Sequence, residues 1–157
     1  MKANLLTIVQ ECPKGQILWS NPVSDMFGFL SMREELSFIQ RKDFETLKTI
    51  YEQCHEINWD GEDAEAISYE TYDSAFLVLK VLFNNRIHID NIAPASDGSI
   101  GLNLDTPIYS IFIHVKNREV VYTRVEHKNP SDTLILACKT WEFSKNIQTI
   151  RNDYEAG

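Results

Sequence analysis

Residues 57–68 read INWDGEDAEAIS, with Asp60, Glu62, Asp63 and Glu65 crowded around Gly61. Carboxylates at short spacing around a glycine are what a calcium loop uses, with oxygen ligands at positions 1, 3, 5, 9 and 12 and glycine at 6. With Gly61 in the glycine place, Glu56, Asn58 and Asp60 fall on the first three ligand positions. The last two become Ala64 and Ile67, which have no side-chain oxygen. The essential bidentate carboxylate is missing, and no metal is expected here. Neighbouring carboxylates can also divide acid and base roles in hydrolysis, but only in a cleft that raises one pKa. A short charged turn stays wet, so no catalytic residue is assigned. A metal-dependent hydrolase centred on Asp60–Asp63 is the alternative, and a small-ligand sensor with a pocket between sheet and helices is a third.

The other chemistry-bearing residues are scattered. His55, His88, His114 and His127 do not cluster, although His88 and His114 fall on predicted strands and could meet across a sheet. Cys54 and His55 are adjacent on a predicted helix and so do not face one another. Cys12, Cys54 and Cys138 are odd in number and lack a C-x-x-C pair, which suits a reducing, cytoplasmic compartment. The N-terminal apolar run LLTIV is too short for a signal peptide, and no stretch reaches membrane-spanning length. No P-loop, G-x-S-x-G or G-x-G-x-x-G is present, and no cofactor is expected.

Charge is unevenly placed. Between Glu52 and Asp73 lie Glu52, Glu56, Asp60, Glu62, Asp63, Glu65, Glu70 and Asp73, without a single Lys or Arg. These acids equal the whole net charge of −8, so the rest of the chain is balanced. No basic stripe exists to bind phosphate backbones nonspecifically. Aromatic residues on predicted strands (Tyr109, Phe112, Tyr122) are read as core rather than as base-stacking platforms. A localised acidic face suits a basic protein partner, while the plainest account of it is a solvated turn. Glu56, Asp60, Glu62, Asp63 and Glu65 are the candidate partner-binding residues. Within the same stretch, Asn58 and Asp60 would shape the turn, Gly61 would take a positive φ, and Trp59 would plug the core edge with its indole N–H on a backbone carbonyl.

The elements that position this loop follow from periodicity. From Arg33 onward, Phe44, Leu47, Ile50 or Tyr51, Cys54 and Ile57 recur at helical spacing, with Glu34 and Glu35 near the start and an end expected near Glu56. A second helix is predicted from an N-cap at Ser68 to Asn84–Asn85, with Tyr72, Phe76, Leu79 and Phe83 as its main stripe. Ile87, Ile89 and Asn91 alternate as a strand, and Asp97–Gly98 marks a tight hairpin turn. Ile100, Leu102 and Leu104 share one strand face. Tyr109, Ile111, Ile113 and Val115 share another in a strand opened by Pro107. A turn at Lys116–Glu119 leads to a return strand, Val120–His127. TLILACK reads equally as helix or strand, TWEF as a short strand, and Ser144 as the N-cap of a final helix, Lys145–Tyr154. Residues 1–32 are poorly readable, with a hairpin at Pro13–Gly15 as the best reading. The expectation is a single α+β domain over 1–157: two helices on a three- to four-stranded antiparallel meander, then a C-terminal helix.

Two stretches carry a family resemblance. Asn58, Trp59, Asp60, Gly61 and Ala64, ahead of a helix, match an N-W-D-G-x-x-A motif. Pro94, Asp97, Gly98, Ile100 and Leu102 match P-x-x-D-G-x-I-x-L ahead of a β-meander. Over roughly residues 45–125 the chain resembles a group of small bacterial proteins often associated with phages and mobile elements. It departs at Glu62–Asp63, where a Tyr–Gly pair is common, and at Leu104, where tryptophan is frequent. The resemblance implies the α+β fold and brings no activity with it. The function expected is therefore non-catalytic: a protein-interaction role, antitoxin-, immunity- or anti-defence-like, through the acidic surface or an exposed sheet edge.

Overall fold

The computed structural model describes residues 38–157. Lys42–Gly157 forms one compact unit. The expected hairpin near Pro13–Gly15 and the placement of Glu34 and Glu35 fall outside the described residues. The elements in chain order are α1 (Phe38–Cys54), α2 (Tyr69–Asn84), β1 (Asn91–Pro94), β2 (Ile100–Asp105), β3 (Tyr109–Lys116), β4 (Glu119–Glu126), β5 (Thr133–Lys139), a 3₁₀ segment (Thr140–Asn146) and α3 (Ile147–Ala156). The five strands form one antiparallel sheet in the order β1-β2-β3-β4-β5. This is an α+β fold, with one strand more than the sequence suggested.

Register explains which face is dry. One row crosses the sheet as Ile92, Leu102, Ile113, Tyr122 and Leu136, and the next as Pro94, Ile100, Val115, Val120 and Cys138. Ile100, Leu102, Ile111, Ile113 and Val115 are fully buried. They form one core with Ala75, Val78, Leu79 and Leu82 of α2 and Leu47, Ile50 and Cys54 of α1. The rings of Phe44 and Phe76 join the two helices at 4.7 Å, and Phe83 meets Phe44 edge-on at 5.6 Å. On the opposite face of the sheet stand Asn103, Phe112, Thr123 and Ile135. Phe112, expected inside, is 38% exposed because its parity in β3 is opposite to that of Ile111 and Ile113.

Several local readings change. Ile57 is not on the buried face of α1; the helix ends at Cys54 and Ile57 is 79% exposed. Ile87 and Ile89 are buried but precede the sheet. Ladder pairing begins at Asn91, and ahead of it the Asp90 carboxylate accepts the Asp105 N–H at 2.8 Å. TLILACK is the edge strand β5, since Leu134, Leu136 and Cys138 alternate inward against the core. TWEF lies in the 3₁₀ segment, where Phe143 is buried. Ser144 is not an N-cap; α3 begins after Asn146 without a side-chain cap. Ser68 does cap α2, accepting the Thr71 N–H at 3.0 Å. At its other end α2 closes with Arg86 at φ +61°, its N–H on Phe83 O and that of Ile87 on Leu82 O. These paired bonds satisfy two of the orphan carbonyls of the last turn.

Candidate functional site

The loop between α1 and α2 is made rigid by its own polar groups. Asn58 adopts φ +62°, and its N–H donates to Ala64 O at 2.7 Å, closing the loop. Asn58 Oδ1 accepts the Asp63 N–H at 2.8 Å, and Asp60 Oδ1 accepts those of Glu62 and Ala64 at 2.8 and 3.2 Å. Gly61 takes φ +82°, and the Trp59 indole N–H donates to Glu65 O at 2.9 Å. Half-buried Trp59 packs against the core edge, as its residue type and position suggested.

A second turn clamps the first. The Glu65 N–H donates to Ser96 O at 2.8 Å, in the Ala95–Ser99 turn between β1 and β2. Gly98 there has φ +81°, and a Cβ on it would lie 3.0 Å from Ala66 O and 3.2 Å from Glu65 Cβ. Asp97 shapes this turn by accepting from the Ser99 hydroxyl and N–H at 2.6 and 3.0 Å, and the Ser99 hydroxyl holds its carboxyl below the usual aspartate range. The two motif stretches that are far apart in sequence thus meet in space.

The acidic run is not one free face. The tip of the β3–β4 hairpin reaches back to it. Lys116 Nζ bonds Glu65 Oε1 at 2.8 Å, which raises the Lys116 pKa. Arg118 bonds Glu70 and Asp73, each at 2.9 Å. Between them Asn117, at φ +53°, donates its N–H to Thr71 Oγ1 at 2.7 Å and accepts from the Ser68 hydroxyl at 3.0 Å. Of the candidate residues, Glu65 is therefore spent in an ion pair and Asp60 in shaping its own loop. Glu56 is exposed beside His55 Nε2, at 3.6 Å. Glu62 and Asp63 are exposed, and among the described residues no ion pair takes up their charge.

Other groupings do not assemble a site. No set of three or more His, Cys, Asp or Glu among the described residues is arranged to hold a metal ion. His88 lies before β1 with its ring 6.4 Å from Phe83, whereas His114 stands on β3 opposite Gly101, so the two do not meet as expected. Ser110, His127 and Asp105 converge, but not as a relay. The Ser110 hydroxyl donates to Asp105 at 2.6 Å, and both oxygens gather at His127 Nε2, while no carboxylate among the described residues orients Nδ1. A shallow depression at the hairpin tip is lined by Lys116, Arg118 and Lys139. All three cations are already paired, Lys139 with Glu119 at 2.6 Å.

Two polar or aromatic clusters escape a sequence reading. Tyr122 donates to Asp153 at 2.6 Å and Arg124 bonds the same carboxylate at 3.0 Å, a buried junction between β4 and α3. Burial, then the Asp153 hydrogen bond, pushes the Tyr122 hydroxyl far above the usual tyrosine range. Tyr51, Tyr69 and Tyr72 gather where α1 ends and α2 begins. Neither cluster has a spacing signature. No helix among the described residues is long and apolar enough to cross a membrane. Neither protein-family models, nor curated proteins, nor solved structures return a match to this chain.

Proposed function

We propose that this chain is a cytoplasmic, non-catalytic interaction protein of a bacterium or its mobile elements, antitoxin-, immunity- or anti-defence-like, that captures a basic protein partner at the α1–α2 loop. The observation that carries this reading is Ile57, 79% exposed between Glu56 and a loop whose Glu62 and Asp63 carboxylates enter no ion pair among the described residues. An exposed aliphatic side chain inside an acidic rim combines an apolar anchor with charge steering. The loop backbone is already held by its own hydrogen bonds, so little ordering entropy opposes docking.

The test is the triple variant Ile57→Asp, Glu62→Lys, Asp63→Lys, immobilised beside the wild type and exposed to extract of the native host. These side chains take no part in the loop's own bonds, so circular dichroism should be unchanged while a partner is lost from the captured set. Identical capture by both proteins removes the acidic loop as the docking surface.

A further inference from the structure

The last turn of α1 and the first turn of α2 lie beside the acidic loop, and three tyrosines meet there. Tyr51 stacks on Tyr72 with centroids 5.0 Å apart and planes inclined by 27°. Tyr69 stands edge-on to Tyr51 at 6.0 Å and lies 5.9 Å from Tyr72. Helix packing accounts for Tyr51 and Tyr72, which rest half-buried against the core. It does not account for Tyr69, which is 64% exposed.

The charge around the rings decides what such a surface accepts. Burial and the Tyr69 hydroxyl, then Asp73, Glu52 and Glu45, raise the Tyr72 pKa, so these three carboxylates act on the same ring. Lys48 pairs with Glu52 at 3.3 Å and Arg118, which also acts on Tyr69, with Glu70 and Asp73, so that of the three only the exposed Glu45 is in no ion pair among the described residues. An anion would be repelled by the rim. A purely apolar group would have to strip water from carboxylates to reach the rings. A cation gains from both, because the face of an aromatic ring is its negative region. Guanidinium fits better than ammonium, being planar, weakly hydrated and able to stack while bonding a carboxylate. The same chain already contains that arrangement: Arg124 lies 4.5 Å over the Tyr109 ring while bonding Asp153 and Asp132.

We propose that Tyr69 and Tyr72, backed by Tyr51 and with the exposed Glu45 as the carboxylate at their edge, form the anchor for an arginine side chain of the basic partner. This rests on the acidic-loop reading above and adds where the partner's cation sits.

The probe is a short peptide carrying three arginines between glycines, set against its citrulline counterpart, which keeps the shape and loses the charge. Both are titrated into the full chain while tyrosine ring signals and loop amides are followed by NMR. The arginine peptide should shift the ring signals of Tyr69 and Tyr72, and the citrulline peptide should not. Tyr69→Ala should weaken binding roughly two- to fivefold, the worth of one exposed cation–ring contact, and Tyr69→Phe should retain it. Because Tyr69 is exposed, circular dichroism should show both variants folded. Shifts confined to residues 56–65 with silent tyrosine rings, or unchanged affinity in Tyr69→Ala, would overturn the anchor and leave the acidic loop standing. No shift anywhere would overturn both.

Discussion

The Asn58–Ala64 loop and the Tyr122–Arg124–Asp153 junction both satisfy polar groups at the edge of one core, by opposite means. In the loop, each acceptor lies within six residues of its donor: Asn58 and Asp60 side chains take backbone N–H groups, and Trp59 bonds Glu65 O. In the junction, Asp153 of α3 is reached by Tyr122 and Arg124 of β4, 31 and 29 residues away. The loop's bonds are neutral or singly charged and close to water, so each is replaceable. The junction sets a carboxylate and a guanidinium in a buried site, where either ion without the other is costly. The loop is a shape, whereas the junction is a lock between two elements.

This difference can be broken most forcefully at the lock. Asp153→Ala takes the acceptor from the Tyr122 hydroxyl and leaves the Arg124 guanidinium only the half-exposed Asp132 carboxylate and the Tyr109 ring, and should cost about 3 kcal/mol, read from urea denaturation. A loss below the cost of a surface substitution would mean that solvent reaches the junction. The next effect separates the two turn glycines. Gly98→Ala should cost about 2 kcal/mol, combining a positive φ with the close approach of Ala66 O. Gly61→Ala should cost about 1 kcal/mol, for φ alone, since nothing lies within 4 Å of its Cβ. Equal midpoint shifts would show that the clamp between the two turns contributes no strain.

The smallest effect concerns pH. The Ser99 hydroxyl depresses the Asp97 pKa below 3.8, so the ionised form is favoured in the folded state. That contribution is present above the ordinary aspartate pKa and is lost as pH falls through the folded value. Ser99→Ala should therefore raise the Asp97 titration midpoint, followed by carboxyl NMR. Its stability deficit should be present at neutral pH and vanish in strong acid. A deficit that persists there would trace to packing around Ser99, which is itself buried.

How much of this was legible follows from how far each interaction reaches. The Ser68 cap, the Asp97–Gly98 turn, the Trp59 plug and the Ile100–Leu104 and Tyr109–Val115 faces depend on neighbours a few residues away, and they stand as their residue types predict. Ile57 continued the α1 stripe on paper and is exposed, because the chain leaves the helix at Cys54 to enter the loop. TLILACK could not be assigned by periodicity. Its pairing with β4 makes it a strand, through a ladder running from Glu119–Lys139 to Val125–Thr133. The candidate site divided for the same reason: counting charges placed Glu65, Glu70 and Asp73 on a free acidic surface, while Lys116 and Arg118, more than forty residues on, pair with them.

The amino-acid sequence by itself determined the helices, the meander, the two glycine turns and the excess of negative charge, since each is written in adjacent side chains and in backbone preference. Only the tertiary structure decided which carboxylates remain free, which strand forms the edge, and that three tyrosines and a Tyr–Arg–Asp junction exist at all. Those outcomes depend on which remote elements arrive at contact distance. Desolvation and ion pairing act over a few ångströms of space, whatever the separation along the chain.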